Sequence, residues 1–164
     1  MLVNTTSRFL GIDPGLTCTG WAIIDLINNG KFQYIDSGVI KTSVNTNNHA
    51  RLNFIFQECC KVLTSYRPNY AAIEETYVNN NGKSSIVLAQ AKAASIIAIT
   101  QNSIPIGEYP AKRIKKTISG SGNADKEQVL KMIGYWLENI SISLFDESDA
   151  IAIALCHASH FKEI

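Results

Sequence analysis

The chain predicts an α/β fold built on a five-stranded mixed sheet: a three-stranded antiparallel meander plus two parallel strands, flanked by helices. Three observations carry that expectation. Up to Lys41 the sequence consists of short apolar runs separated by turn residues. At Leu52 the hydrophobic period changes from near 2 to near 3.6. Beyond it, strand and helix patterns alternate one by one, which places parallel strands beside the meander.

Phe9 to Asp13 is an apolar run closed by Pro14-Gly15, and Gly20 to Asp25 resumes it, the pattern of a β-hairpin. Lys31 to Lys41 follows Asn28-Asn29-Gly30, whose Asn-Gly step favours a tight turn with positive φ, and it alternates less cleanly. Leu52, Ile55, Phe56, Cys59, Cys60, Val62 and Leu63 then recur at helical spacing, until Pro68 stops the helix before the strand Tyr70 to Glu74. Ser84 to Thr100 is a second helix, rich in Ala and Ile and charged only at Lys92. A helix that apolar is covered by the sheet, by a second subunit, or by both. Ile104 to Tyr109 is a fifth strand, Asp125 to Trp136 a third helix, and Ser148 to Phe161 a last one, apolar over Ala150 to Cys156. The expected order is βββαβαβαα.

A length of 164 residues, 46% of them hydrophobic, suits one domain, taken as residues 1–164 with residues 1–8 as a flexible N-terminal extension. That extension lacks the apolar core of a signal peptide, and no run of about 18 apolar residues is present to cross a membrane. A cytoplasmic protein with no membrane partner is expected. Cys18, Cys59, Cys60 and Cys156 lack CxxC spacing and read as buried free thiols. The net charge of +1 sets up no whole-molecule attraction for nucleic acid. Locally the balance differs: Lys112, Arg113, Lys115, Lys116, Lys126 and Lys131 face only Asp125 and Glu127, with Ser-Gly-Ser-Gly among them. Such a segment suits a phosphate backbone, and its plainer explanation is a solvated loop and helix face.

Four carboxylates stand where a metal site can be built. Asp13 ends one apolar strand, Glu74 ends another, and Asp146 and Asp149 lie three apart before an apolar helix. Clustered carboxylates repel, and a hard divalent cation supplies the missing charge. Singly, each has an ordinary explanation. Asp13 before Pro14 is common turn chemistry. Asp146 or Ser148 caps the last helix, and Glu147 and Asp149 offset its dipole. Glu74 follows the buried run Ala71-Ala72-Ile73, but Glu75 is adjacent and faces the other side of the sheet. Periodicity leaves that pair open.

The element order is similar to that of the ribonuclease H-like fold, in which the first and fourth strands lie side by side. In that fold Asp13 and Glu74 become neighbours, and the final helix, with the turn before it, brings Asp149 and Asp146 to the same edge. Such a cage implies two Mg²⁺ ions about 4 Å apart, one activating water and one stabilising the leaving oxygen.

More specifically, the chain resembles the RuvC-type Holliday junction resolvases from Phe9 to about His160. The resemblance rests on Leu10-Gly11-Ile12-Asp13-Pro14-Gly15 with Thr19-Gly20-Trp21, on Ala72-Ile73-Glu74-Glu75 and on Leu88-Ala89-Gln90-Ala91. It extends through Lys115-Lys116-Thr117, the run from Gly120 to Val129, and the run from Asp146 to Ala154. It implies metal-binding, catalytic carboxylates at Asp13, Glu74, Asp146 and Asp149, choosing Glu74 over Glu75. It implies two Mg²⁺ per subunit, with Mn²⁺ able to substitute. It also implies a homodimer that resolves a four-way DNA junction by paired symmetric nicks in recombination and repair, since a two-fold substrate calls for a two-fold enzyme. The branch-migration proteins RuvA and RuvB are the expected partners. Lys115 and Lys126 match lysines that contact DNA near the scissile phosphate, and Lys116 is a further DNA candidate. Tyr77 matches an aromatic that stacks on unpaired bases, or else packs under its loop. The helix Ser84 to Thr100 is the natural dimer element.

The first eight residues extend beyond the usual family start, and the chain stops without the basic tail some members carry, so DNA affinity is expected to lean on Lys112 to Lys131. His157 lies eight residues past Asp149, roughly 12 Å along the helix, and reads as a packed or supporting histidine. Arg51 reads as a solvated helix end rather than a phosphate contact. Two other functions stay open. Asp13-Pro14-Gly15-Leu16-Thr17 is similar to the phosphate loop of actin-like ATPases and sugar kinases, which need two such domains. The other is a junction-binding protein that has lost cleavage.

Overall fold

The computed structural model describes residues 6–27, 30–76, 82–137, 140 and 145–162, leaving aside the side chains of Phe145, Asp146 and Lys162. Its elements are β1 (Ser7–Asp13), β2 (Cys18–Leu26), β3 (Phe32–Lys41), α1 (Asn48–Tyr66), β4 (Tyr70–Glu74), α2 (Gly82–Gln101), β5 (Ile106–Tyr109), α3 (Ala111–Ser119), α4 (Lys126–Trp136) and α5 (Phe145–Lys162). The sheet order is β3-β2-β1-β4-β5. β1 pairs antiparallel with β2 and parallel with β4, and β4 pairs parallel with β5. This is the expected mixed sheet, with first and fourth strands adjacent.

Strand alternation sends side chains to two helical layers. Leu10, Ile12, Ile23, Ala71 and Ile73 pack against α1 and α2. Ala22, Ile24, Ala72 and Tyr109 pack against α3, α4 and α5. α5 is buried from Ala150 to Ala158 because it lies directly on the sheet. Its approach to β1 is close enough to dictate the residue beneath it: a Cβ at Gly11 would stand 2.1 Å from the Ala150 carbonyl oxygen. Glycine there lets the start of α5 reach the end of β1.

Local signals account for the helices. Asn47 caps α1 by accepting from the Ala50 N–H, and Ile55, Cys59 and Leu63 form its buried stripe. Asp125 and Gln128 cap α4 reciprocally, at 2.8 and 3.0 Å. The uneven alternation of β3 has a cause: Ile23 pairs with Asp36 but Ile24 with Tyr34, a bulge at Ile35. Gly30 has the positive φ expected of the turn before β3, while Asn28 and Asn29 lie outside the described residues.

Four expectations need correction. The order is βββαβαβααα, because the basic segment after β5 forms α3. α5 starts at Phe145, so Asp146 lies in its first turn and not in the turn before it. β1 begins at Ser7, two residues inside the supposed flexible extension: Arg8 makes two 2.8 Å bonds to the Asp25 carboxylate and one of 3.0 Å to the Tyr66 carbonyl. Of the four cysteines expected to be buried, Cys59 and Cys156 are, whereas Cys18 and Cys60 are half-buried. Among the described residues no helix is long and apolar enough to cross a membrane.

Candidate active site

The site begins with two strand ends. The β1–β4 register runs up to the pair Ile12 and Ile73, so Asp13 and Glu74 each lie one residue further on neighbouring parallel strands. Gly11 and Ala72 face α5, and Asp13 and Glu74, two residues on, share that face. Glu75 lies past the strand, its N–H donating to the Tyr109 carbonyl at 2.9 Å. Of the two residues that periodicity left open, Glu74 is the one on the face shared with Asp13.

The turn after Asp13 is fixed from two sides. Thr19, fully buried, donates its hydroxyl to the Gly15 carbonyl at 2.7 Å. Arg51, only 8% exposed, reaches Thr17 Oγ1 at 3.0 Å and Thr42 Oγ1 at 2.8 Å. The solvated helix end expected for Arg51 is therefore wrong. Its guanidinium ties the start of α1 to the turn that follows Asp13.

α5 and α4 complete the edge. Asp149 stands in the second turn of α5, and Lys126, the first residue of α4, contacts its Oδ2 at 3.0 Å. Burial, and then the negative charge of Asp149, push the Glu74 carboxyl up from its ordinary 4.5, while Lys115, Lys126 and Lys92 pull it back. Asp149 and all three lysines are thus near enough to Glu74 to act on its charge. Lys115, half-buried on α3, faces the carboxylates, whereas Lys116 is exposed and its carbonyl closes the end of α3 by accepting from the Gly120 N–H at 2.9 Å. Lys92 has no role in the sequence reading, although a lone charge in an apolar helix was a visible signal. It pairs with Glu108 at 2.6 Å.

Tyr77 and the side chain of Asp146 lie outside the described residues. Among the described residues, no three Asp, Glu, His or Cys side chains close around one point. The donor chemistry is nonetheless one-sided. Asp149 acts on Glu74, Asp13 ends the adjacent strand, and burial disfavours the charge on Glu74, so the donors on offer are carboxylate oxygens, the type a hard divalent cation takes. His157 is packed elsewhere, 7% exposed, between Phe9, Tyr70, Tyr109 and Phe161. Burial lowers its pKa from 6.5 to about 4, so it is neutral at physiological pH.

The family model for crossover junction endodeoxyribonuclease RuvC matches residues 9–157. The chain belongs to the RuvC family. A relative from Wolbachia pipientis wMel is 39% identical over 151 residues, covering 92% of this chain and 93% of its own. One from Brachyspira hyodysenteriae is 41% identical over 150 residues, with 92% of each covered. Among solved structures, Thermus thermophilus RuvC in complex with a Holliday junction substrate superposes with a TM-score of 0.89 at 27% identity, over 96% of both chains. A yeast mitochondrial Holliday junction resolvase shares the fold, with a TM-score of 0.69 at 14% identity, over 98% of this chain and 86% of its own. The ribonuclease H-like architecture of this RuvC-family chain thus stands on strand order and superposition together.

Proposed function

We propose that this chain is a Holliday junction resolvase, an endodeoxyribonuclease that cuts two strands of a four-way DNA junction at symmetry-related phosphodiesters. The observation that carries the reading is the pair of neighbouring strand ends at Asp13 and Glu74, with Asp149, Lys115 and Lys126 acting on Glu74. Carboxylates alone serve many hydrolases. Carboxylates bordered by cations fit a phosphodiester, whose backbone needs neutralising where it meets an acidic site.

Asp13, Glu74, Asp146 and Asp149 are the proposed ligands of Mg²⁺, two per subunit, with Mn²⁺ as substitute. Bound there, the ions supply an activated water and stabilise the leaving oxygen. The chain's own residues do the rest. Lys126 supplies the counter-charge to Asp149, Lys115 offsets the charge around Glu74, and both lie where a phosphate backbone would enter the site. Lys116, exposed on α3, is an outer phosphate contact, and Tyr77 the aromatic that stacks on an unpaired base at the crossover.

A two-fold junction calls for two such sites, and α2 supports a homodimer. Ala91, Ser95, Ala98 and Ile99 turn inward, leaving Ile86, Ala89, Ala93 and Ile97 as an exposed stripe, with Ile86 60% and Ile97 51% exposed. Large apolar side chains left in the open at helical spacing mark a contact surface. RuvA and RuvB are the proposed partners that deliver the junction, in the cytoplasm.

Purified protein incubated with a synthetic four-way junction tests the reading. Paired, symmetric nicks that require Mg²⁺ or Mn²⁺ are expected. Tight junction binding without cleavage under any divalent cation would leave a binding protein instead of an enzyme.

A further inference from the structure

A second polar cluster joins β5, α3 and α5. Tyr109, the last residue of β5, pairs directly with Glu74 in the β4–β5 register. Its hydroxyl lies 2.7 Å from His157 Nδ1 on α5. The ring of Tyr109 stacks on His160, one turn further along α5, with centroids 5.1 Å apart and planes 23° apart. On its other contact the same ring carries the guanidinium of Arg113, on α3, at 5.4 Å. Arg113 Nη2 also lies 2.6 Å from His160 Nε2. His160 Nδ1 in turn lies 2.6 Å from the Cys156 carbonyl oxygen.

The partners fix the state of His160. A guanidinium can only donate, and a carbonyl can only accept, so Nε2 must offer its lone pair to Arg113 while Nδ1 carries the proton toward Cys156. The imidazole therefore bridges the two helices. Its Nδ1 side belongs to α5, its Nε2 side holds α3, and its face rests on β5.

α3 needs such a hold. It is nine residues long, its N-cap Pro110 makes no side-chain capping bond, and only Ile114 and Ile118 are buried. A short helix of that kind draws its stability from tertiary contacts. Two residues beyond Arg113 stands Lys115, the cation that most offsets the charge on Glu74. Moving α3 by an ångström moves Lys115 relative to the carboxylate edge, and displacements of that size cost catalysis heavily.

We propose that Arg113, His160 and Tyr109 form a clamp that sets the position of α3 on α5, and that through it they position Lys115 at the cleavage site. These are positioning residues, which touch no reacting atom. The proposal rests on the resolvase reading of Lys115, and the test separates the two.

The decisive variant is His160→Phe, which keeps a ring on Tyr109 but offers Arg113 no acceptor, and leaves every DNA-facing cation in place. Single-turnover cleavage of a prebound junction should slow by about tenfold, with junction affinity and its salt dependence unchanged. His160→Gln, which presents an oxygen to Arg113, should restore most of the rate. In a Lys115→Ala background, His160→Phe should add no further loss, because a clamp acting through Lys115 has nothing left to position. Should His160→Phe fold poorly, the same comparison is made with Arg113→Met, alone and with Lys115→Ala.

Equal, independent losses in the double variant would overturn the clamp, as would a silent His160→Phe. So would an Arg113→Met variant that changed only affinity and salt slope, since Arg113 would then be a DNA contact in its own right. Wild type and Lys115→Ala, measured alongside, report on the resolvase reading itself. If wild type cleaves and Lys115→Ala is impaired while His160→Phe is not, only the clamp is lost.

Discussion

At the amino end of β1, Arg8 and Asp25 meet through two 2.8 Å hydrogen bonds, and the Asp25 side chain is only 7% exposed. At the carboxyl end of the neighbouring strand, Glu74 sits beside Asp149, and burial with that like charge pushes its acidity the wrong way for an ionised group. Both ends contain partly buried carboxylates. One is matched by a cation within the fold, and the other keeps a raised pKa, chiefly through burial, despite three nearby lysines. A carboxylate matched internally contributes to stability, whereas one whose charge burial disfavours is held in place by its surroundings and is available to an external cation or phosphate. The difference supports the proposal that one end is a structural ion pair and the other the cleavage site.

The comparison breaks most visibly in cleavage. Asp13→Asn, Glu74→Gln, Asp146→Asn and Asp149→Asn should each lower junction nicking by at least about 100-fold, the loss already typical of residues one step removed from a metal, while junction binding is largely kept. Glu74→Gln should cost no stability in metal-free buffer, because it removes a charge that the fold disfavours. Asp25→Asn should behave in reverse. It leaves the half-buried Arg8 without its charged partner and should cost about 2 kcal/mol, a fall of roughly 4–8 °C in melting temperature, with cleavage at the wild-type rate once folded. Urea unfolding and gel-based nicking assays on both variants decide whether the two ends differ as described.

A smaller effect is expected at α2. Ala93 is exposed in the apolar stripe, whereas Ala94 packs partly into the core between α1 and α2, so Ala93→Glu is the cleaner probe. It should place an unpaired carboxylate in the subunit contact, yield monomers in sedimentation velocity and uncouple the two nicks. Wild-type protein that stayed monomeric at micromolar concentration, free and on the junction, would remove the two-fold mechanism. The smallest effect is read in junction binding at single lysines, apart from the part Lys115 plays in the cleavage rate. Lys115→Ala and Lys126→Ala should each reduce the log–log salt slope of junction binding by about one unit, and an unchanged slope in the double variant would make the basic segment a bystander.

Much of this contrast was legible in the sequence, for physical reasons that can be named. Asp13 and Glu74 end strands that read as short apolar runs, and similarity to the ribonuclease H-like fold made them neighbours. Glu74 was separable from Glu75 only by resemblance until the face shared with Ala72 was seen. α3 escaped notice because its buried side is just Ile114 and Ile118, one pair at helical spacing inside a run of lysines that reads equally well as solvated loop. The start of α5 was misplaced because Phe145 and Asp146 precede the apolar run by which the helix is recognised. Arg51 was misjudged for a different reason. A charged residue in the first turn of a helix usually faces water, and only the packing of α1 against the turn after Asp13 sets it between Thr17 and Thr42. Long-range packing of that kind has no period to read.

The central claim is that the carboxylates at the carboxyl ends of β1 and β4 bind a divalent cation. It is tested most directly by thermal unfolding as Mg²⁺ or Mn²⁺ is titrated, for wild type, Asp13→Asn and Glu74→Gln. Saturating cation should raise the wild-type melting temperature, by an amount reflecting about 2.7 kcal/mol at a hundredfold excess over the dissociation constant, and should leave both variants unmoved. A wild-type protein indifferent to divalent cations, or variants that gain as much as it does, would contradict the account.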